Sequence, residues 1–261
     1  MHETGHFFYN RGMLSKSQIS FIKSLHQKKY RKEHGIFLIE GIKSIEEFIQ
    51  SNYQVHSIYY LAQYQSLLSA LPANIKLFEV NNAELDKIST LQAPQGILAL
   101  VHLPKPVVLD PASLKNAFTL VLDGIQDPGN MGTIIRTADW FGFKQLICSL
   151  NCVEVYNPKT VQATMGSLSR INIFYEDLPE VLKNTPLPIF GAVLDGKSMY
   201  KIDWGKEGLV ILGNEGQGIS PEVMKMITHP VTIPRMGNAE SLNVAISAAI
   251  LCADISRNLQ K

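Results

Sequence analysis

The sequence predicts an α/β protein whose second half is built on a mostly parallel sheet. In that half, apolar segments such as FTLVLDG and LVILGNEG alternate with segments of helical periodicity. These apolar segments are unbroken by polar residues, which is typical of parallel strands covered on both faces. Three prolines between Pro104 and Pro111 interrupt any regular element and separate this half from a smaller α/β unit in front of it.

The front unit is predicted from four short apolar segments and two helical ones. GIFLIEG, VHSIYYLA, IKLFEV and GILALVHL predict strands. Ser15 or Ser17 can cap a first helix, and KSIEEFIQSN predicts a second helix with Ile45, Phe48 and Ile49 on one face. The predicted boundaries are an unassigned tail over residues 1–11, a first domain over 12–104, a linker over 105–116 and a second domain over 117–261.

The second half supplies the longer alternation. Its predicted strands are FTLVLDG, KQLICS, INIFY, PIFGAVLD, LVILGNEG and HPVTIPR. Its predicted helices run over Met131–Phe141, from Pro158 to Ser167 with Asn157 as cap, briefly after Ser220, and from Ser241 to Arg257 with Ser241 as cap.

Composition limits the possible functions. The chain has 261 residues, 46% of them hydrophobic, and a formal net charge of +1, which excludes a globally basic nucleic-acid binder but not a local basic patch. The three cysteines, Cys148, Cys152 and Cys252, predict reduced thiols in a cytoplasmic protein, and their spacing predicts no metal site. Neither a membrane span nor a targeting segment is predicted.

Three loops each follow a predicted strand and precede a predicted helix: the first loop, DGIQDPGN (residues 123–130), the second loop, GNEGQGIS (213–220), and the third loop, PRMGNAESLN (234–243). The carboxyl ends of parallel strands meet at one edge of a sheet, and ligands bind there. We therefore expect the three loops to meet around one site.

The polar residues of these loops each allow two interpretations. Asn130 can cap the next helix or contact a ligand, and Arg136 can be a surface residue or a phosphate-binding fork of donors. Glu215, between glycines, can be a turn residue or point into the site. Asn243 can be a second cap or a ligand contact. The first loop lacks the glycine spacing of a dinucleotide site and the lysine of a P-loop.

Taken together, the three loops resemble the motifs of the SpoU (TrmH-type) branch of the SPOUT superfamily of RNA methyltransferases. DPGNMGTIIRTADWFG is similar to the first motif of that branch, LVILGNEGQGIS to the second and IPRMGNAESLNVAISAA to the third. KKYRKEHGIFLIEGIKSIEEFI and APQGILAL resemble the L30e-like RNA-binding domain that precedes the catalytic domain in many members.

The resemblance implies a catalytic domain with a deep trefoil knot, which elementary topology rules would not predict. It also implies S-adenosylmethionine as cofactor, no metal, a homodimer in which each site is completed by the other copy, and a ribose 2′-hydroxyl of RNA as methyl acceptor. Ribosomal RNA is favoured over transfer RNA by the L30e-like domain.

Functional residues carried over by position fall into two sets. The implied catalytic residues are Asn130, Arg136, Glu215, Ser241 and Asn243. The implied cofactor contacts, mainly through backbone groups, are Leu194, Gly213, Asn214, Gly218, Ile233, Leu242 and Asn243. Arg235 departs from the family pattern, in which many relatives have an apolar residue, and adds a positive charge beside the implied knot.

The residues indicate roles for this chemistry. A guanidinium is a poor base, since it gives up its proton only above a pKa of about 12. We therefore expect Arg136 to clamp phosphate and stabilise oxyanion charge, Asn130 to orient the ribose, and Glu215 to position Asn130 or Arg136.

A basic run in the front domain predicts the RNA contact. Between Arg11 and Lys32 the sequence has seven Lys or Arg and no Asp or Glu. Such a run is often only a solvated face, but interleaved aromatic rings favour phosphate contacts with base stacking. Lys28, Lys29, Arg31 and Lys32 are the predicted RNA-binding residues, together with Arg136.

Three rival functions remain open: a transfer-RNA methyltransferase, a nucleotide-dependent enzyme with a variant dinucleotide loop, and a non-catalytic RNA-binding or ribosome-assembly protein. A nucleotide-dependent enzyme would require an acidic ribose-binding residue after the second strand, and the segment LNCVEVYNPKT offers no convincing one. The non-catalytic reading would tolerate decay of the three loops, and all three are intact.

Overall fold

The computed structural model describes residues 9–10, 13–68, 71–72 and 75–260, of which residues 9–10 are described by their backbone alone. These residues form two compact units. The first unit runs to Lys105 and also contains Tyr156–Ser169, and the second contains Pro106–Val155 and Arg170–Lys261. This division differs from the predicted domains in two respects. Residues 156–169 fall in the first unit, and most of the predicted linker, residues 106–116, falls in the second.

The first unit is a mixed five-stranded sheet with strand order β1-β4-β3-β5-β2. Its strands are β1 (Tyr9–Asn10), β2 (Ile36–Glu40), β3 (Val55–Tyr60), β4 (Lys76–Glu79) and β5 (Ile97–His102). Its α-helices are α1 (Lys16–Ser24), α2 (Lys28–His34), α3 (Ile42–Ile49), α4 (Gln65–Leu68), α5 (Asn82–Ile88) and α7 (Pro158–Thr164). All four strands predicted for the front unit are present.

Local sequence explains where two of these helices begin. The Ser15 side chain caps α1 by accepting from the Gln18 amide, and the Gln18 side chain accepts in turn from the Ser15 amide. Of the two predicted caps, Ser15 and Ser17, it is therefore Ser15 that serves. Helix α5 was not predicted, although Asn81 and Glu84 form the same reciprocal cap at its start.

The residues of α7 join the first unit through aromatic contacts. Just before this helix, the Tyr156 ring packs against Phe37 with a centroid distance of 4.7 Å, and its hydroxyl lies 3.2 Å from that of Tyr53. These contacts span more than a hundred residues of sequence, so local periodicity does not reveal them.

The second unit is a six-stranded, entirely parallel sheet with order β11-β9-β10-β6-β7-β8. Its strands are β6 (Phe118–Asp123), β7 (Gln145–Ser149), β8 (Asn172–Glu176), β9 (Ile189–Ser198), β10 (Gly208–Gly213) and β11 (His229–Thr232). Its α-helices are α6 (Pro128–Trp140), α8 (Leu178–Lys183), α9 (Pro221–Met224) and α10 (Val244–Leu259). The parallel sheet is as predicted; α8 was not.

The central strands of this sheet are buried along their length, as strands covered on both faces must be. Every residue of β6 and β7 is buried, and Val121, Ile147 and Ile211 belong to one apolar cluster. Helix α10 packs against α6 and β10. The core therefore fixes the strand ends from which the three loops leave.

Candidate functional site

The three loops leave the same edge of the parallel sheet. Strands β6 and β10 are parallel neighbours with Gly213 opposite Asp123, so the first and second loops start side by side. Strand β11 is parallel to β9, which is parallel to β10, and therefore sends the third loop from the same edge. The structure brings the loops together as the parallel sheet predicts.

The first loop ends earlier than predicted. Helix α6 begins at Pro128, and the side chain of Asp127 caps it by accepting a bond of 2.7 Å from the Asn130 amide. The prediction that the helix begins at Met131 with Asn130 as a possible cap was wrong. Because Asp127 caps the helix, the Asn130 side chain is free to face the other loops.

Asn130 is the junction of the three loops. Its Nδ2 donates to Glu215 Oε1 of the second loop over 2.7 Å. Its Oδ1 accepts from Asn243 Nδ2 of the third loop over 3.0 Å. One side chain thus connects segments that lie about a hundred residues apart in the sequence.

The third loop ends at Asn243, whose Oδ1 accepts from the amide of Ala245 over 2.9 Å. Helix α10 therefore begins at Val244 with Asn243 as its cap, and the prediction that Ser241 caps it was wrong. Asn243 therefore caps the helix, as one of its two predicted roles stated, and it also donates to Asn130; its predicted ligand contact stays a prediction. Ser241 lies exposed in the loop.

These hydrogen bonds all point in one direction. The amides at the start of α10 donate to Asn243, Asn243 donates to Asn130, and Asn130 donates to Glu215. Aligned bonds polarise one another, and the series starts at the positive end of a 16-residue helix and finishes at a carboxylate. The arrangement stabilises negative charge on Glu215 and leaves its second oxygen, Oε2, unused by this series.

Arg136 lies apart from this series. It is exposed on α6, six residues after Asn130, and a separation of six residues turns the helix to a different side. Among the described residues, no hydrogen bond or ion pair joins Arg136 to Asn130, Glu215 or Asn243. The structure therefore does not bring all the predicted catalytic residues together within one chain.

The second loop is a tight turn. Asn214 and Gly218 exchange backbone hydrogen bonds of 2.9 and 2.8 Å, and Gly218 has a φ of +71°, which favours glycine. A Cβ on Gly213 would lie 2.3 Å from the carbonyl carbon of Gly218. Both glycines are therefore required for the turn.

Further positions for a cofactor lie beside this turn. Strand β9 bulges where its register to β11 shifts between Pro230 and Val231, and Leu194 on the bulge is 71% exposed. Thr232 Oγ1 donates to the Leu194 carbonyl over 2.9 Å, which holds the bulge beside Ile233. Leu242 is 49% exposed in the third loop. Exposed leucines suit the apolar faces of an adenine base.

Two other features of this edge were not predicted. Asp123 is buried at the end of β6 and accepts from the Ser220 amide over 2.7 Å, closing the far end of the second loop. Cys152 Sγ accepts from the Ile125 amide at 3.2 Å, and a hydrogen bond with the buried Cys148 lowers the pKa of Cys152 to about 7. In the sequence, the signal that could have pointed to Asp123 is its position as an acidic residue at the end of the apolar segment LVLD.

Arg235, the departure from the family pattern, stabilises the third loop from within. Its guanidinium is exposed and donates to the Ala239 carbonyl over 3.2 Å. Across the described ranges, no cluster of three or more His, Cys, Asp or Glu side chains has the arrangement to hold a metal ion.

In the first unit, the basic run contains both exposed and buried cations. Lys28, Lys29 and Lys32 of α2 are exposed, and Lys29 Nζ lies 5.6 Å from the centroid of the Tyr30 ring. Tyr30 stacks on His34 with centroids 6.4 Å apart. This surface combines cations and aromatic rings, while Arg11, the first cation of the run, lies outside the described residues.

Arg31 differs from the expectation for the basic run. It is 2% exposed, and its Nη1 donates to the carbonyls of Leu25 and His26 over 2.9 and 3.0 Å. These carbonyls lie at the C-terminal end of α1, so Arg31 caps that helix. Its placement makes it a structural residue, and the prediction that it binds RNA is corrected.

In the parts of the chain that the structure describes, no helix combines the length and apolarity needed to cross a membrane.

Comparisons with known proteins match both halves of the chain. A model of the SpoU rRNA Methylase family matches residues 117–253, and one of the MRM3-like substrate binding domain matches 16–99. The Bacillus subtilis 23S rRNA (guanosine(2553)-2′-O)-methyltransferase RlmP is 31% identical over 233 residues, covering 88% of this chain and 92% of RlmP.

Solved structures are also similar. A TrmH-family protein from Porphyromonas gingivalis is 38% identical with a TM-score of 0.83, over 94% of this chain and 99% of that one. An AdoMet-bound rRNA methyltransferase from Sinorhizobium meliloti is 26% identical with a TM-score of 0.84, over 96% of this chain and 98% of that one. Both the catalytic motifs and the front domain are thus matched, and the chain belongs to the SpoU rRNA methylase family of RNA methyltransferases.

Proposed function

We propose that this protein transfers a methyl group from S-adenosylmethionine to a ribose 2′-hydroxyl of ribosomal RNA. The observation that carries the proposal is the series of hydrogen bonds from Asn243 through Asn130 to Glu215, which makes one site of the three family motifs. Ribosomal RNA is supported by the name of the Bacillus relative and by the match to a substrate-binding domain. We also propose a cytoplasmic location.

The cofactor is held at the carboxyl edge of the parallel sheet. Leu194 and Leu242 would cover the adenine, and backbone groups of Gly213 and Ile233 would meet its polar edge, with Asn214, Gly218 and Asn243 beside them. Bound S-adenosylmethionine supplies a methyl group already activated on a sulfonium, so the protein chiefly aligns the acceptor.

The acceptor hydroxyl requires orientation, and it loses its proton to solvent water as its oxygen takes the methyl group. Asn130 is fixed by its two partners and presents its remaining hydrogen-bonding capacity to the ribose. Glu215 holds Asn130 by accepting from its Nδ2. Arg136 clamps the neighbouring phosphate and stabilises the developing oxyanion, and the exposed Ser241 contacts RNA beside it.

The RNA is first captured by the front unit. Lys28, Lys29 and Lys32 neutralise backbone phosphates, and Tyr30 and His34 offer rings for base stacking. This division of labour leaves chemistry to the second unit and affinity to the first.

The active enzyme is a homodimer, and Arg136 acts in the site of the other copy. Supporting this, Arg136 is exposed and lies away from Asn130, and apolar side chains on α6 and α10 are open, with Trp140 83% and Ile246 51% exposed. The chain following β11 forms the deep trefoil knot that the family membership implies.

Labelled methyl transfer tests the activity. We expect methyl label from S-adenosylmethionine to enter ribosomal RNA from cells lacking the gene and to survive alkaline hydrolysis in dinucleotides, because a 2′-O-methyl group blocks cleavage of the adjacent bond. Transfer RNA from the same cells is the comparison substrate. Label on a base, or only on transfer RNA, would overturn the proposal.

Mixing two inactive variants tests the shared site. If Arg136 acts in the other copy, Arg136→Ala and Glu215→Gln chains refolded together form mixed dimers with one complete site. A random one-to-one mixture then recovers about a quarter of wild-type activity, since half the dimers are mixed and each has one working site of two. No recovery would place Arg136 in its own chain's site.

A further inference from the structure

The second loop is tied to the first by a side chain that none of the proposed catalytic steps uses. Asn214 Nδ2 donates to the Gly124 carbonyl over 2.7 Å, across from the second loop to the first. Its Oδ1 accepts from the amides of Gly216 and Gln217 over 2.9 and 3.0 Å. A single amide group thus folds its own loop and fastens that loop to its neighbour.

This tie determines where Glu215 stands. Glu215 lies between Asn214 and Gly216, so the two residues beside it are fixed by the Asn214 side chain. The far end of the loop is held at Ser220 by Asp123, the last residue of β6. Glu215 is exposed and has no packing of its own to hold it, so its reach to Asn130 depends on these anchors.

We propose that Asn214 is a positioning residue for methyl transfer: its bond to the Gly124 carbonyl sets the spacing between the loop that carries Glu215 and the loop that carries Asn130. This inference rests on the proposed function and deepens it. It assigns to the Asn214 side chain a role in aligning the acceptor, whereas the family resemblance implied a cofactor contact. The effect of Asn214 on catalysis therefore passes through Glu215.

Asn214→Asp separates the two functions of the side chain. Aspartate keeps an oxygen that accepts from Gly216 and Gln217, so the second loop retains its turn. It lacks the Nδ2 donor and places a charged oxygen against the Gly124 carbonyl, so only the tie between loops is lost. Asn184→Asp is the matched control, because Asn184 Nδ2 donates to the Glu180 carbonyl over 3.0 Å at the end of α8.

We expect Asn214→Asp to lower kcat about 10- to 100-fold, since misplacement of reacting groups by about an ångström costs rate of this order. KM for RNA and the affinity for S-adenosylmethionine should stay within about threefold, and Asn184→Asp should match wild type. In a Glu215→Ala background, Asn214→Asp should cost less than about threefold, because no side chain remains at position 215 to reach Asn130.

Two outcomes overturn the inference. If Asn214→Asp leaves kcat unchanged and lowers the cofactor affinity tenfold or more, Asn214 is a direct cofactor contact. If it lowers kcat equally whether Glu215 is present or replaced, its effect is independent of Glu215. Amide hydrogen exchange gives a readout without activity: residues 124–130 and 214–218 should exchange faster in Asn214→Asp and not in Asn184→Asp. If wild type transfers no methyl group, the proposed function fails while the exchange measurement still tests the tie.

Discussion

The two surfaces assigned to RNA work in opposite ways. In the second unit, function is concentrated in a few polar side chains that hydrogen-bond to one another, as Asn130 does to Glu215 and Asn243. In the first unit, it is spread over exposed lysines of α2 that make no such network with one another in the described structure. One substitution should therefore disable the site in the second unit, whereas the lysine surface of the first unit should lose RNA affinity gradually as lysines are replaced.

The largest effect is expected for Arg136→Ala. Loss of a group that stabilises developing charge should lower methyl transfer by about 10³-fold while S-adenosylmethionine still binds, because Arg136 is assigned to the RNA and not to the cofactor. Calorimetric titration with cofactor and a single-turnover transfer assay measure the two quantities. Methyl transfer near the wild-type rate would mean that Arg136 is not part of the site in the second unit.

A triple change sharpens the contrast with the front unit. Replacing Lys28, Lys29 and Lys32 with glutamine should weaken RNA binding about tenfold at moderate salt and reduce the slope of affinity against salt by roughly 2, with single-turnover kcat unchanged. Fluorescence anisotropy over a salt series measures both.

A control triple tests whether position or total charge matters. Lys43, Lys76 and Lys87 are exposed on α3, β4 and α5 of the same unit, and their replacement removes the same charge. An equal loss of salt dependence in both triples would reduce the basic run to a general effect of net charge.

The smallest effect on RNA is expected for Arg31→Met, although this residue belongs to the same basic run. It leaves the Leu25 and His26 carbonyls without their donor and should cost about 2 to 3 kcal/mol of unfolding free energy. The exposed Lys23→Met should change stability by less than about 0.5 kcal/mol. Urea denaturation compares them; a lower salt slope for Arg31→Met in the folded protein would return Arg31 to the RNA surface.

The same two regions show what could be predicted from the sequence. The parallel sheet and the meeting of the loops follow from strand periodicity and from the rule that parallel strands end at one edge, and both are present. The helix caps followed only in part. Asn157 caps α7 as predicted, whereas Asp127 and Asn243 cap α6 and α10, for which Asn130 was a candidate and Ser241 was expected. Several residues of each loop have capping side chains, and tertiary contacts select among them.

The sequence also did not indicate which charged and polar side chains are buried or tie loops together. Arg31 lies among lysines, and its charge alone gives no indication that it turns inward to the end of α1. Asn214 and Asp123 were likewise hidden, since ties between loops join residues about ninety positions apart. Motifs identify the residues of the site, and the structure identifies the residues that hold them.

A double-mutant cycle on Asn130 and Glu215 tests most directly whether loops distant in sequence act as one site. Single-turnover methyl transfer would be measured for Asn130→Ala, for Glu215→Ala, which removes the acceptor of the Asn130 hydrogen bond, and for the double variant, with cofactor saturating. We expect each single change to cost about 100-fold and the double variant to be within about threefold of the slower single, because the two side chains act through one hydrogen bond. Losses that multiply, near 10⁴-fold in the double variant, would contradict the account.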